Sequence, residues 1–164
     1  MSSESCGTHA VADTPDDLRK SIVIHRADTA HVALELRAQL GEGPVWDDRR
    51  GALFFVDIDG SAVHEFAPSG GTHRSWTAPA PTSAVALTEA GDLLLAQGHN
   101  LLIQFWPPDT ESVLVARVTN DSSIRLNDGA VDPWGSFVVG TMDRGANSAI
   151  GALYRLEPNG QVLR

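Results

Sequence analysis

Two short stretches carry more chemistry than a turn requires. In LGEGPVWDD, Leu40 to Asp48, a carboxylate, Glu42, sits between two glycines and ahead of Pro44. The glycines let the backbone turn sharply, and the proline then fixes the direction of the chain. A glutamate there points away from the neighbouring strands, although an ordinary turn with an exposed Glu is the plainer local reading. In RLNDGAVDPWG, Arg125 to Gly135, the residues Arg125, Asn127 and Asp128 all stand within four places of Gly129. They bring a guanidinium fork, an amide and a carboxylate, all directional hydrogen-bonding groups. Asn-Asp-Gly is also a strong turn signal. The simplest account is a loop in which Asn127 and Asp128 bond their own backbone and Arg125 is a solvated charge.

The elements that must position these residues are short. LFFVDI (Leu53–Ile58), AVHEFA (Ala62–Ala67), AVALTE (Ala84–Glu89), DLLLAQ (Asp92–Gln97), LLIQFW (Leu101–Trp106), SVLVARV (Ser112–Val118), SFVVGTM (Ser136–Met142) and ALYRLE (Ala152–Glu157) read as strands. PSGG, EAGD, PPDT, DPWG and EPNG between them are turn signals. Residues 1 to about 30 read as a flexible polar tail, with a short helix capped by Asp13 or Thr14 and opened by Pro15 as the alternative.

The strands repeat. DDRRGALFFVD, LTEAGDLLLAQ and VDPWGSFVVGT each place a glycine (Gly51, Gly91, Gly135) two and four residues ahead of an apolar pair. The pairs are Leu53 and Phe55, Leu93 and Leu95, Phe137 and Val139, and the glycines are 40 and 44 residues apart. Four short strands in a period of about 40–45 residues are the mark of a β-propeller blade. The apolar pairs are expected to pack one blade on the next, with the four tryptophans serving the same packing. From residue 31 to residue 164 there is room for roughly three blades, whereas propellers close with about four to eight. Three blades leave two open sheet faces, so this is expected to be part of a larger propeller or a chain that self-associates through its open edges.

LGEGPVWDDRRGALFFVDI, RLNDGAVDPWGSFVVGTM and GALYRLEPNG together closely resemble the family of senescence marker protein, gluconolactonase and luciferin-regenerating enzyme, which includes regucalcin. The resemblance runs from about Leu36 to the C-terminus. It implies an all-β, six-bladed propeller of which about half is present, and hydrolysis of sugar lactones with one divalent cation in the central channel. By the same resemblance Glu42 matches a metal ligand, and Arg125 and Asn127 match side chains that contact substrate. Asp128 matches a structural turn residue. Two further ligands, an Asn and an Asp, belong to motifs that the resemblance places beyond this stretch. A substrate-contacting acidic residue of some members aligns with Gly145, with Asp143 nearby but offset. A lone Glu42 is expected to hold Ca²⁺, Mg²⁺, Mn²⁺ or Zn²⁺ only weakly, and oxygen ligands do not choose among these ions. A non-catalytic binding module and a calcium-binding, regucalcin-like protein are the alternatives.

Composition narrows the field. The formal charge of −9 argues against nucleic-acid binding, which needs Lys and Arg to neutralise phosphates. The lone cysteine, Cys6, excludes an internal disulfide and a Cys-based zinc site. No basic and apolar leader opens the sequence and no apolar run approaches a membrane span, so the cytoplasm is the default and no membrane partner is expected. The six histidines lack ligand spacing and read as ordinary, and no G-x-S-x-G elbow supports a serine hydrolase.

Overall fold

The structure, a computed structural model, describes residues 30–108 and 111–164. The expected tail and short helix lie almost wholly outside these residues. The chain divides into Met1–Val32 and Ala33–Arg164, and among the described residues every strand lies in the second unit. They are β1 (Gly41–Asp47), β2 (Ala52–Asp57), β3 (Ala62–Ala67), β4 (Thr72–Thr77), β5 (Thr82–Leu87), β6 (Leu93–Gln97), β7 (Asn100–Gln104), β8 (Ser112–Arg117), β9 (Ile124–Val131), β10 (Phe137–Asp143), β11 (Leu153–Leu156) and β12 (Val162–Leu163). They form three antiparallel four-stranded sheets in simple meander order, β1 to β4, β5 to β8 and β9 to β12. These are three propeller blades.

The eight expected strands all exist, with ends moved by one or two residues. Four strands were not expected. β4 (THRSWT) and β12 lie at sheet edges and lack an apolar run to betray them. β1 and β9 run through the two stretches read as turns, a difference taken up below. Gly51, Gly91 and Gly135 take φ of 60°, 96° and 86°, as hairpin turns of this kind demand.

Alternation explains the packing. A strand sends successive side chains to opposite faces, so a blade with two neighbours must be apolar on both. In β6, Leu93 and Leu95 join Phe54, Val56 and Val63 in the core between the first and second sheets. Leu94 and Ala96 point the other way, joining Phe137, Val139 and Leu126 between the second and third. Each fully buried Val, Leu or Phe here contributes roughly 1.5–3 kcal/mol. The repeated pair thus faces the preceding blade. In the first sheet no blade precedes, and Leu53 and Phe55 are only half-buried, lining a groove with Leu34, Leu36 and Ala38. On the far face of the third sheet Leu153 and Leu163 are exposed.

The tryptophans divide. Trp76 and Trp106 pack edge to face, 5.5 Å between centroids, as expected of packing residues. Trp46 and Trp134 are 47% and 78% exposed, contrary to expectation. Trp46 sits on the uncovered face of the first sheet, and Trp134 sits in a hairpin turn at the rim of a cleft shared with the second blade. His64 and His73 pack against each other across β3 and β4. Their rings lie within 22° of parallel with His64 Nδ1 3.1 Å from His73 Nε2. Burial and its neighbour hold the His64 pKa down, against a smaller opposing pull from Asp57.

Polar anchors fix the blades to one another and to their loops. Buried Asp47 is clasped by Arg49 and Arg50. Arg49 also donates to the Glu89 carbonyl at 2.9 Å and Arg50 to that of Gly91 at 2.7 Å, tying the first blade's hairpin to the second's. Burial raises the Asp47 pKa, but the hydrogen bonds from Arg50 and Arg49 outweigh it and the carboxyl ends below its ordinary value. Asp57, 6% exposed, accepts the backbone N–H groups of Gln39, Leu40 and Gly60 at 2.9–3.0 Å. Asp143 does the same for an exposed loop, accepting from Gly145, Asn147 and Ser148 at 2.9–3.2 Å.

Two outcomes are expected. Burial raises the Asp57 pKa, but the donors from Leu40, Gln39 and Gly60 outweigh it and leave the carboxyl below its usual value. Its stabilisation is therefore present at neutral pH and lost as the pH falls below about 4. Asp57→Ala is expected to cost about 3 kcal/mol in urea unfolding at pH 7, since it orphans three donors, and the gap from wild type should close in acid. The backbone donors of Asn147 and Gly145 hold Asp143 below its ordinary pKa. In hydrogen exchange at pH 5 or above, Asp143→Ala should speed the Gly145, Asn147 and Ser148 amides several-fold while leaving the strand amides unchanged.

Candidate functional site

The innermost strands β1, β5 and β9 contact one another. Each departs from regular pairing by one inserted residue, in β1 one pair later than in β5 and β9. In β1 the register slips between Glu42 and Val45, so Gly43 and Pro44 together oppose Phe55. In β5 it slips between Thr82 and Ala84, leaving Ser83 as the extra residue. In β9, Asn127 and Asp128 together oppose Gly140. These are β-bulges, which re-aim side chains and are common next to functional sites. Gly41, Thr82 and Leu126 pair with Asp57, Gln97 and Thr141, each six residues past its blade's turn glycine. The next residue along is Glu42, Ser83 or Asn127. The three occupy equivalent positions in successive blades.

This corrects both local readings. LGEGP and RLNDG are strand segments that contain bulges, and the glycines and Asx residues that signal turns serve the bulges instead. Gly43 takes a φ of 57°, a conformation open to glycine without strain. Gly129 is needed for close approach, since a Cβ there would lie 2.5 Å from Phe137 Cζ and 2.9 Å from the Val138 carbonyl.

Arg125 and Asn127 come together as a unit. The Arg125 Nη1 donates to Asn127 Oδ1 at 3.2 Å and to the Leu126 carbonyl at 2.9 Å. Both side chains are half-buried, so the guanidinium is preset rather than solvated. Asp128 turns back on the chain, its Oδ1 accepting from the Gly129 N–H at 2.8 Å, in keeping with a structural role. The loop after Thr141 is ordered by Asp143, whose carboxylate is occupied by backbone donors, and Gly145 brings no acid in its place.

Glu42 is exposed, and its side chain makes no hydrogen bond or ion pair among the described residues. It borders the apolar groove of Leu53 and Phe55 on the first sheet's outer face. A separate cleft of about 470 Å³ between the inner strands is lined by Gly43, Pro44, Val85, Asp128 and Gly129. The structure therefore joins Arg125 to Asn127 but does not bring Glu42 into contact with them. As a metal centre the described residues fit in part. Glu42 offers a free hard-oxygen ligand, but no group of three His, Cys, Asp or Glu residues converges among them, and the Asn127 oxygen is engaged by Arg125. No helix among the described residues is long and apolar enough to cross a membrane. Ser83, inward-facing and 2% exposed, is the residue that sequence reasoning missed. Its signal was its offset ahead of Gly91, which matches that of Asn127 ahead of Gly135.

Comparison with known proteins agrees with this architecture. Residues 40–164 match the family described as the SMP-30/Gluconolactonase/LRE-like region. Regucalcin of Xenopus laevis is 37% identical over 132 residues, which cover 77% of this chain and 44% of that protein. L-arabinolactonase of Azospirillum brasilense is 36% identical over 135 residues, covering 81% and 45%. The crystal structure of a calcium-binding regucalcin from Agrobacterium tumefaciens superposes with a TM-score of 0.75 at 28% identity, over 80% of this chain and 44% of that one. The chain thus spans less than half the length of the relatives it matches. The repeated blades, the bulged inner strands and these matches together make the chain a member of the SMP-30, gluconolactonase and luciferin-regenerating enzyme family.

Proposed function

We propose that this chain forms one side of the active site of a divalent-cation-dependent hydrolase acting on sugar lactones. The observation that carries the reading is the preset Arg125–Asn127 pair on the inner-strand bulge of the third blade, in a family that includes a sugar lactonase. Lactone hydrolysis adds water to the ring carbonyl carbon, breaks the ring C–O bond and delivers a proton to the leaving alkoxide, giving a hydroxy acid. A hard divalent cation, when bound, supplies Lewis acidity to the carbonyl and to the attacking water. Glu42 is its ligand from this chain, and the remaining oxygen ligands come from the part of the relatives' length that this chain does not span. Arg125 holds sugar hydroxyls or offsets the negative charge that develops on the carbonyl oxygen. Asn127 steadies the guanidinium and presents its own amide to the sugar. The site takes Ca²⁺, Mg²⁺, Mn²⁺ or Zn²⁺, and the partner is a small neutral molecule rather than a nucleic acid or a membrane. A cytoplasmic setting fits the single cysteine.

A second reading rests on the exposed Leu153 and Leu163 at one end of the stack and the half-buried Leu53 and Phe55 at the other. It makes the chain a non-catalytic, self-associating module; a calcium-binding, regucalcin-like role is a separate alternative that calorimetric titration with Ca²⁺ tests.

Hydrolysis of a panel of aldonolactones with each cation separates the readings. The 164-residue chain is expected to show little turnover and weak cation binding by calorimetry. In a version extended to the relatives' length, Glu42→Ala should lower activity about 100-fold at limiting cation, and Arg125→Ala should lower kcat/KM by about the same factor. Unchanged activity in Glu42→Ala removes its ligand role. Light scattering that finds only monomer, with no binding of a hydrophobic dye, counts against self-association.

A further inference from the structure

The geometry points to Ser83 as a positioning residue for the Arg125–Asn127 pair. This deepens the lactonase reading and, for its catalytic consequence, rests on it. Ser83 is the inserted residue of the β5 bulge and lies inside the molecule, 2% exposed. Its Oγ stands 2.9 Å from the backbone carbonyl of Asn127, in the next blade, and 3.3 Å from the Ala96 carbonyl in its own sheet. A hydroxyl has one proton to give, and the shorter contact takes it. In β9 the register shift leaves Asn127 without a one-to-one partner on β10, and a buried carbonyl calls for a donor. The partner is a side chain that the neighbouring blade's own bulge delivers. The two irregularities interlock.

The consequence runs outward through one residue. The carbonyl that Ser83 holds belongs to the same Asn127 whose Oδ1 receives Arg125 Nη1, and that nitrogen also donates to the carbonyl just before it, that of Leu126. Holding the Asn127 carbonyl therefore restrains the residue that carries one acceptor of the guanidinium and directly follows the other. Ser83 itself is enclosed and touches no substrate. It stands in the place that Glu42 takes in the first blade and Asn127 in the third, where those residues carry the chemistry and Ser83 carries the alignment.

The neighbouring Thr82 supplies an internal control. It is equally buried, and its hydroxyl bonds Ala80 and Gln97 rather than Asn127. The experiment compares the 164-residue chain with Ser83→Ala, Ser83→Thr and Thr82→Val by heteronuclear NMR. It reads the Asn127 carbonyl carbon, the Asn127 side-chain amide and the Arg125 Nε–Hε resonance. Ser83→Ala is expected to shift all three, Ser83→Thr to restore the carbonyl toward wild type, and Thr82→Val to leave them in place even where it lowers Tm. Unmoved resonances in Ser83→Ala overturn the proposal, as does an equal shift in Thr82→Val. In the version extended to the relatives' length, Ser83→Ala should raise KM for a lactone about five- to tenfold with kcat little changed, the loss of one hydrogen bond's worth of alignment. Absence of lactone turnover in wild type there removes the lactonase reading, while the NMR comparison still decides the role of Ser83.

Discussion

The structure depends on a single constraint: a four-stranded sheet that is apolar on both faces has to be covered on both. The second blade meets it within the chain. Leu93 and Leu95 go to one core, Leu94 and Ala96 to the other, and each of these side chains is at most 8% exposed. The outer blades meet it on one side only. Their free faces hold Leu53 and Phe55 at one end and Leu153 and Leu163 at the other. The burial that stabilises this fold thus comes from contacts between blades more than from any one sheet.

Because hydrophobic burial does not specify direction, polar links set how the blades meet. At the hairpin end Arg49 and Arg50, both held by Asp47, donate to the carbonyls of the next blade. At the bulges Ser83 reaches the Asn127 carbonyl. In both places a side chain of one blade caps a backbone group that the adjoining blade's own pairing leaves open. Such bonds gain in strength away from water, and a missing partner costs more there.

The repeat, the blade identity and most strands were legible in the sequence, because turn glycines and alternating apolar pairs act locally. The bulged inner strands were not. Gly43, Asn127, Asp128 and Gly129 are turn-forming residues, and a bulge uses the same backbone freedom as a turn. Only the register against Phe55 and Gly140 tells the two apart, and register is a property of the partner strand. Edge strands β4 and β12 escaped for a related reason, since THRSWT and VL gain their structure from pairing and not from a buried pattern. At the site, the resemblance pointed to Arg125 and Asn127, and the structure joins the two by a hydrogen bond. The isolation of Glu42 from them was not legible, because it depends on how separate blades lie in space.

The inserted residue in each inner strand reverses side-chain parity along that strand. Up to the insertion, one alternation rule governs which way side chains point. Past it, the opposite rule serves the packed interior. Ser83 and Asn127 fall at this reversal, and Glu42 stands just before it. A residue at such a point can change its chemistry without shifting the phase of the buried positions that follow. A carboxylate, a hydroxyl and an amide are held in one architectural slot on three blades, so the fold separates what the protein can do from what keeps it folded.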